Sequence, residues 1–264
     1  MRAGFLIVIL AFFASLGYVT WHLWRITPGG WPVKLVAVGL FLLWMVLAFA
    51  NMGWSEKVSV QAASLLADVG YPWVIAFLYL LIAFLLADIL VLCKVLPKAT
   101  LSGSAAGCAG ILGLIAFVLV SGGVHYRHKY REELTIHTDK PLEKPLTVVL
   151  ASDLHLGYGN RRAELSRWID LINAEHPDLV LFCGDIVDMR LRPISEGAYA
   201  DEFRRLEAPA FGVLGNHGHH SRGKTRYYVS SGLGIWGPKI RVGTRSEYLV
   251  LHLEGDSPMT SENQ

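Results

Sequence analysis

At 264 residues, with 53% hydrophobic and 17% charged side chains, the chain is too apolar for one ordinary water-soluble domain, where charge runs near about 25%. Residues 1–124 hold six Lys/Arg and three Asp/Glu, whereas residues 125–264 hold 18 and 19. The first part therefore reads as membrane and the second as water-soluble, and the near-neutral second part supplies no basic field, which excludes nucleic acid as an expected partner.

A helix crossing the hydrocarbon core needs about 20 apolar residues. Four stretches qualify in chain order: 3–24, 35–55, 69–93 and 99–124. The first is long and lacks a small-x-small cleavage site, so it reads as a span rather than a removed signal peptide. Trp21, Trp24, Trp31, Trp54, Tyr71 and Trp73 fall near span ends, where amphipathic rings favour the interface. Arg25 to Gly30 forms a turn between the first two spans. Asp88 is the one acid within a span and lies five residues from Cys93. It reads as a near-interface acid, the alternative being a functional intramembrane charge. The fourth stretch is rich in small residues, among them Gly107, Gly110 and Gly113, which predicts a helix inside the bundle. Cys93, Cys108 and Cys183 share no metal or disulfide spacing and read as buried hydrophobes.

Four spans place both ends of the region on one side. Arg2, Lys57, Arg127, Lys129 and Arg131 then oppose Arg25, Lys34, Lys94 and Lys98 across the bilayer. Five basic residues against four point to a cytoplasmic second part. Residues 125–133 are polar and helix-compatible, and prolines 141 and 145 punctuate the next dozen residues. The expected organisation is a membrane region over 1–124, a linker over 125–145 and a domain over 146–264.

Past the linker the apolar pattern changes period. Residues 146–151, 179–183 and 210–214 are short apolar runs that read as buried strands. Leu165, Trp168, Ile169 and Ile172 recur at helical spacing, Pro177 closes that helix, and 196–206 is a second helix candidate. Alternating strands and helices imply an α/β unit with a mainly parallel sheet. Ligand-type residues follow each strand: Asp153 and His155, then Gly184, Asp185 and Asp188, then Gly215, Asn216 and His217. Open α/β sheets bind ligands outside the carboxyl ends of their strands. Asp, His and Asn delivered to one edge suit a divalent transition metal such as Mn, Fe or Zn.

These three segments resemble the D-x-H, G-D-x-x-D and G-N-H motifs of calcineurin-like metallophosphoesterases. The resemblance covers about 146–254 and is nearest to bacterial members with membrane helices before the catalytic domain. It implies a four-helix transmembrane region followed by an α/β domain built as a truncated αββα sandwich. It also implies an integral protein of a bacterial-type inner membrane and hydrolysis of a phosphate ester or pyrophosphate, on a small molecule or a membrane lipid. Asp153 and His155 would bind a first metal and Asp185 would bridge. Asn216 would bind a second metal, and His217 would serve as the catalytic residue beside the leaving group. Asp188 would orient a neighbour rather than touch metal. Arg190 and Arg192 could contact substrate phosphate or be ordinary surface arginines.

The sequence departs from that family in one stretch. Relatives carry three further histidines after G-N-H, yet only residues 218–222 separate His217 from Gly223. An internal deletion is expected, with at most one ion held well and poor hydrolysis. The runner-up is a non-catalytic, shortened membrane protein with a residual metal- or phosphate-binding surface. His219 and His220 stand either as substitute ligands or as an exposed loop pair. From 208 to 246 there is no acid, while Arg222, Lys224, Arg226, Lys239, Arg241 and Arg245 fall there. That stretch faces an anionic headgroup or forms the solvated side of a C-terminal strand pair. Trp236 covers a lipid substrate or fills a turn.

Overall fold

A computed structural model describes residues 2–188, 190–213 and 231–256. Asn216, His217, His219 and His220 lie outside them. The chain divides into two compact units, 1–123 and 124–264.

The first unit is helical. Its elements are α1 (Arg2–Ile26), α2 (Trp31–Trp54), α3 (Val60–Gly70), α4 (Pro72–Leu92) and most of α5 (Ala105–Arg127). Four helices are long and apolar enough to cross a membrane: Gly4–Ile26, Trp31–Trp54, Val60–Leu92 and Ala105–Arg127. The third starts earlier than the sequence pattern predicts. Ser59 caps α3 by accepting the Ala62 amide at 3.2 Å, as short hydroxyl side chains do. Pro72 interrupts the helix without ending it, because Tyr71 keeps right-handed angles (φ −56°, ψ −36°). The Val69 carbonyl, next to this interruption, accepts the Trp44 indole N–H at 2.6 Å. Close packing of α3 on α2 depends on Gly70, where a Cβ would stand 2.7 Å from the Ala48 Cα.

The helix expected inside the bundle, α5, packs closely at Gly107, where a Cβ would stand 2.0 Å from the Thr100 carbonyl oxygen, and buries Ile115. Gly110 and Gly113 of α5 have nothing within 4 Å of a would-be Cβ. The buried centre belongs mainly to α4, through Trp73, Ala76, Leu80, Ala83, Phe84 and Ala87. There, alanines let neighbours approach, and Trp73 stacks on Phe77 at 4.9 Å. Asp88 has partners on α1: the Tyr18 hydroxyl donates to it at 2.7 Å, and His22 Nε2 lies 3.0 Å away. His22 is fully buried and stacks on Phe84 at 4.7 Å.

The second unit is an α/β domain with a mixed sheet. In chain order it contains β1 (Lys129–Pro141), β2 (Leu146–Ala151), α6 (Arg162–Asn173), β3 (Leu179–Cys183), α7 (Arg192–Glu196), α8 (Tyr199–Phe203), β4 (Ala210–Val213) and β5 (Ser246–Asp256). Among the described residues they form one five-stranded sheet in the order β1-β5-β2-β3-β4. The β1/β5, β2/β3 and β3/β4 pairs are parallel, and β2/β5 is antiparallel. Most of the segment expected as a linker is thus strand β1, paired along β5 from Lys129↔Ser246 to Thr138↔Gly255. Its exposure alternates residue by residue, with Tyr130, Glu132, Leu134 and Ile136 on the more protected side, the period-two signature of a strand.

The α6 face of Leu165, Trp168, Ile169 and Ile172 packs on Val149, Val180 and Val250 of the sheet. Each such large side chain contributes roughly 1.5–3 kcal/mol on burial. Of the helix expected over 196–206 only α8, Tyr199–Phe203, forms; α7 ends at Glu196, and Ala198 between them turns left-handed at φ 51°. Cys183, expected to be buried, is exposed at the end of β3, as is Cys93 at the end of α4.

Candidate metal centre

Three of the sequence-predicted ligands meet at the carboxyl ends of β2 and β3. One donor atom each of Asp153, His155 and Asp185 lies within 4.8 Å of the others. His155 Nε2 is 3.8 Å from Asp153 Oδ1 and 3.9 Å from Asp185 Oδ2. These separations are too long for direct hydrogen bonds. They suit donors sharing one ion, because two ligands bound at about 2.1 Å stand no more than about 4.2 Å apart. The chemistry also fits, since two carboxylates balance a divalent charge and an imidazole adds a borderline nitrogen donor. The Asp153 carboxylate holds the His155 imidazole above its ordinary pKa, against the opposing effect of burial. His155 in turn holds Asp153 below the usual carboxylate range.

The backbone explains how two strand ends place three ligands together. Asp153, His155 and Asp185 all adopt left-handed angles, with φ of 54°, 43° and 47°, and Gly184 sits at 95°. Left-handed geometry crowds a Cβ against the following carbonyl and is avoided in ordinary segments. Here the two loops bond to each other and enforce it. Asp153 N donates to Gly184 O at 3.2 Å, His155 N to Asp185 O at 2.9 Å, and Leu156 N to Ile186 O at 2.9 Å. Leu154 and Leu156 anchor the loop in the core at 1% exposure each. Asp188 closes the ladder, its amide donating to Leu156 O at 2.9 Å.

The third expected segment follows β4, whose Val213 pairs with Cys183, but Asn216 and His217 lie outside the described residues. Arg192 is engaged with Glu196 at 2.8 Å, and Arg190 is exposed. The basic stretch is not a strand pair in its described part: residues 231–245 run as bends, and β5 begins at Ser246. Its cations face the domain's own groups. Lys239 bonds Glu164 at 2.7 Å, Arg245 reaches Glu132 at 3.3 Å, and Arg241 is buried. Trp236 is 57% exposed.

Several residues around the centre carry no motif in the sequence. Asn160 is buried and donates to the carbonyls of Leu154 and Ile235 at 2.8 and 3.2 Å, while accepting the Tyr126 hydroxyl at 2.6 Å. Lys129 donates to the carbonyls of Tyr126 and Leu233 at 2.7 and 2.9 Å and stands 3.8 Å above the Tyr126 ring. Burial, followed by the charge of Arg241, pushes the Lys129 ammonium down to about 7. Only the doublet Gly232 and Gly234 could have hinted at a close backbone approach in this region.

Residues 146–256 match the family model of the calcineurin-like phosphoesterases. Among relatives, a Caenorhabditis elegans metallophosphoesterase is 23% identical over 210 residues, 73% of this chain and 43% of that protein. The Bacillus subtilis metallophosphoesterase YkuE is 35% identical over 131 residues, 45% of this chain and 46% of its own length. A transmembrane protein with metallophosphoesterase domain from Bos taurus is 24% identical over 97 residues, covering 37% of this chain and 22% of that protein. The chain spans less than half the length of these relatives. No solved structure matches it significantly.

Proposed function

The chain carries a calcineurin-like phosphoesterase domain over residues 146–256 and four helices fit to cross a membrane, and from that premise we propose that it is a membrane-anchored, metal-dependent phosphoesterase. The substrate class is a phosphate ester or pyrophosphate, carried by a small molecule or a membrane lipid. The observation that carries this is the convergence of Asp153, His155 and Asp185 on one point at the sheet edge.

In this proposal the three side chains hold a divalent ion, Mn, Fe or Zn. The chemistry supplied by such an ion when bound is Lewis-acid polarisation of a phosphoryl oxygen and activation of water. Asp153 and Asp185 cancel its charge, so that an anionic ester meets a site near neutrality. His155 is the best shielded of the three, its side chain 13% exposed against 36% for Asp153 and 23% for Asp185. Asp188, bonded through its amide to the same loop, orients the ligand segment. Asn216 and His217, the next ligand-type residues in sequence after β4, would serve respectively as a ligand for a second ion and as proton donor to the leaving group. The domain faces the cytoplasm, as the five basic residues against four suggest.

Ligand count limits the activity. The stretch between His217 and Gly223 is too short for the three histidines that the family resemblance implies after this point, as an internal deletion would leave it. A second ion would then rest on Asp185 and Asn216 alone. Losing its charge stabilisation, worth about 4 kcal/mol in the transition state, would slow hydrolysis roughly a thousandfold. Metal analysis of the detergent-solubilised protein, together with hydrolysis of bis-p-nitrophenyl phosphate in manganese, tests this. We expect at most about one equivalent of metal and slow turnover that Asp185→Ala abolishes. Two tightly held ions with rapid turnover would overturn the one-ion account and return His219 or His220 as ligands. One ion without any turnover would favour the non-catalytic alternative, and no bound metal at all would defeat the metal-dependent reading.

A further inference from the structure

We propose that Arg241 is a positioning residue for the metal centre: it clamps the strap of residues 231–234 against Asp153 and so fixes where the Asp153 carboxylate points. The inference rests on the proposed role of Asp153 as a metal ligand.

The strap lies directly on the ligand. A Cβ at Gly232 would stand 2.6 Å from the Asp153 Cβ and 2.7 Å from its Oδ2, and one at Gly234 would stand 2.5 Å from the carbonyl oxygens of both Asp153 and Leu154. Side chains are therefore excluded at both positions, and Gly232 has the left-handed φ of 78° that glycine tolerates. Leu233 N donates to Ser152 O at 3.0 Å, which seats the strap one residue before the ligand.

Two basic side chains hold it from behind. Arg241 Nη2 donates to Ser231 O at 2.8 Å, to Gly232 O at 3.2 Å and to Gly234 O at 2.5 Å, and Lys129 Nζ takes Leu233 O at 2.9 Å. Four consecutive carbonyls thus accept from the buried Arg241 and the half-buried Lys129. Arg241 Nη1 is fixed by Arg245 O at 2.8 Å, and the residue is only 6% exposed. A guanidinium so far from water is disfavoured unless its donors are used; those of Nη1 and Nη2 are spent on this strap and its return, while Nε has no hydrogen-bond partner among the described residues. Ser231 N bonds Glu247 Oε1 and Glu247 N bonds Gly232 O, each at 3.0 Å, which ties the arrangement to the start of β5. A planar fork with several fixed donors suits this task, and a lysine ammonium could not serve all the same oxygens.

The test uses the full chain in detergent, stripped with EDTA and titrated with Mn2+ by calorimetry well below its melting temperature. The variants are Arg241→Met, Arg241→Lys and Gly232→Ala, the last pressing on Asp153 while leaving Arg241 intact. Arg204→Ala, an exposed arginine at the end of α8, is the control. We expect Mn2+ affinity to fall about 10- to 100-fold in Arg241→Met and Gly232→Ala, less in Arg241→Lys, and not in the control. A purely structural role would lower the melting point of the metal-free protein and leave Mn2+ affinity unchanged; that result in folded Arg241→Met or Gly232→Ala overturns the proposal. Should Arg241→Met fail to fold, Gly232→Ala and Arg241→Lys decide. Wild type that binds no Mn2+ would instead defeat the metal-centre premise, a distinct failure visible before any variant is made.

Discussion

At the scale of single residues, the ligand set combines chemistry that the sequence displays with backbone geometry that it hides. Asp153, His155 and Asp185 were legible because each follows an apolar strand run. Their left-handed angles were not, since Asp and His are enriched at such angles but adopt them in only a small minority of positions, and only Gly184 hints at a turn. Residues held in such regions cost on the order of 1–3 kcal/mol each and persist where surroundings over-determine them. This separates stability from function at Asp185, with φ 47°. Asp185→Gly and Asp185→Ala both remove the carboxylate, but only glycine accepts the angle freely. In EDTA, Asp185→Gly should be more stable than Asp185→Ala by about 1 kcal/mol, while neither retains the Mn2+ affinity of wild type. Thermal melts and Mn2+ titrations check this. Equal melting of the two variants would show that the angle relaxes without cost. Arg241 was invisible for another reason: in a run of basic residues, nothing local marks the one that is buried.

At the scale of elements, periodicity identified α6, β2, β3 and β4, whose apolar residues repeat cleanly. It missed β1 because that strand carries charge on both faces. Glu132 and Lys129 sit among the more protected positions, each held by a partner the sequence does not reveal, Arg245 for one and two carbonyls for the other. At α5 the small residues were a partial guide, since Gly107 meets a neighbour and Gly110 and Gly113 do not. Its glycines suggest contact positions, but helical spacing does not say which side of a helix meets a neighbour. Between α1 and α4 the contact includes a polar cluster. Asp88 accepts from Tyr18 and lies in hydrogen-bond range of His22, and removing it strands both groups in an apolar setting. Asp88→Ala should cost about 1–3 kcal/mol, and Asp88→Asn, which keeps an acceptor oxygen, less. Thermal unfolding in mild detergent measures it, and wild-type melting of Asp88→Ala would mean the cluster adds nothing to helix packing.

At the scale of the whole molecule, the uneven charge distribution anticipated the division into a helical unit and an α/β unit, because solvation in lipid and in water imposes opposite compositions. The sheet order could not be read, since it depends on pairings between distant strands. Among the described residues one edge is β4, where Phe211 is 66% exposed. An exposed apolar side chain on an edge strand invites association. Phe211→Lys should therefore reduce light scattering of concentrated protein while shifting stability by no more than about 0.5 kcal/mol; unchanged scattering would clear that edge. The opposite half of the sheet has its own consequence. β5 lies between β1 and β2, and its His252 approaches Thr147 across 105 residues of chain. Closing so large a loop is entropically slow. Until β5 inserts, β1 has no neighbour, β2 lacks one of its two, and Glu247 cannot support the strap behind Asp153. Refolding should thus show secondary structure returning early and metal-binding competence appearing only in the last kinetic phase, so that an arrested or shortened chain would be largely structured yet blind to its ion.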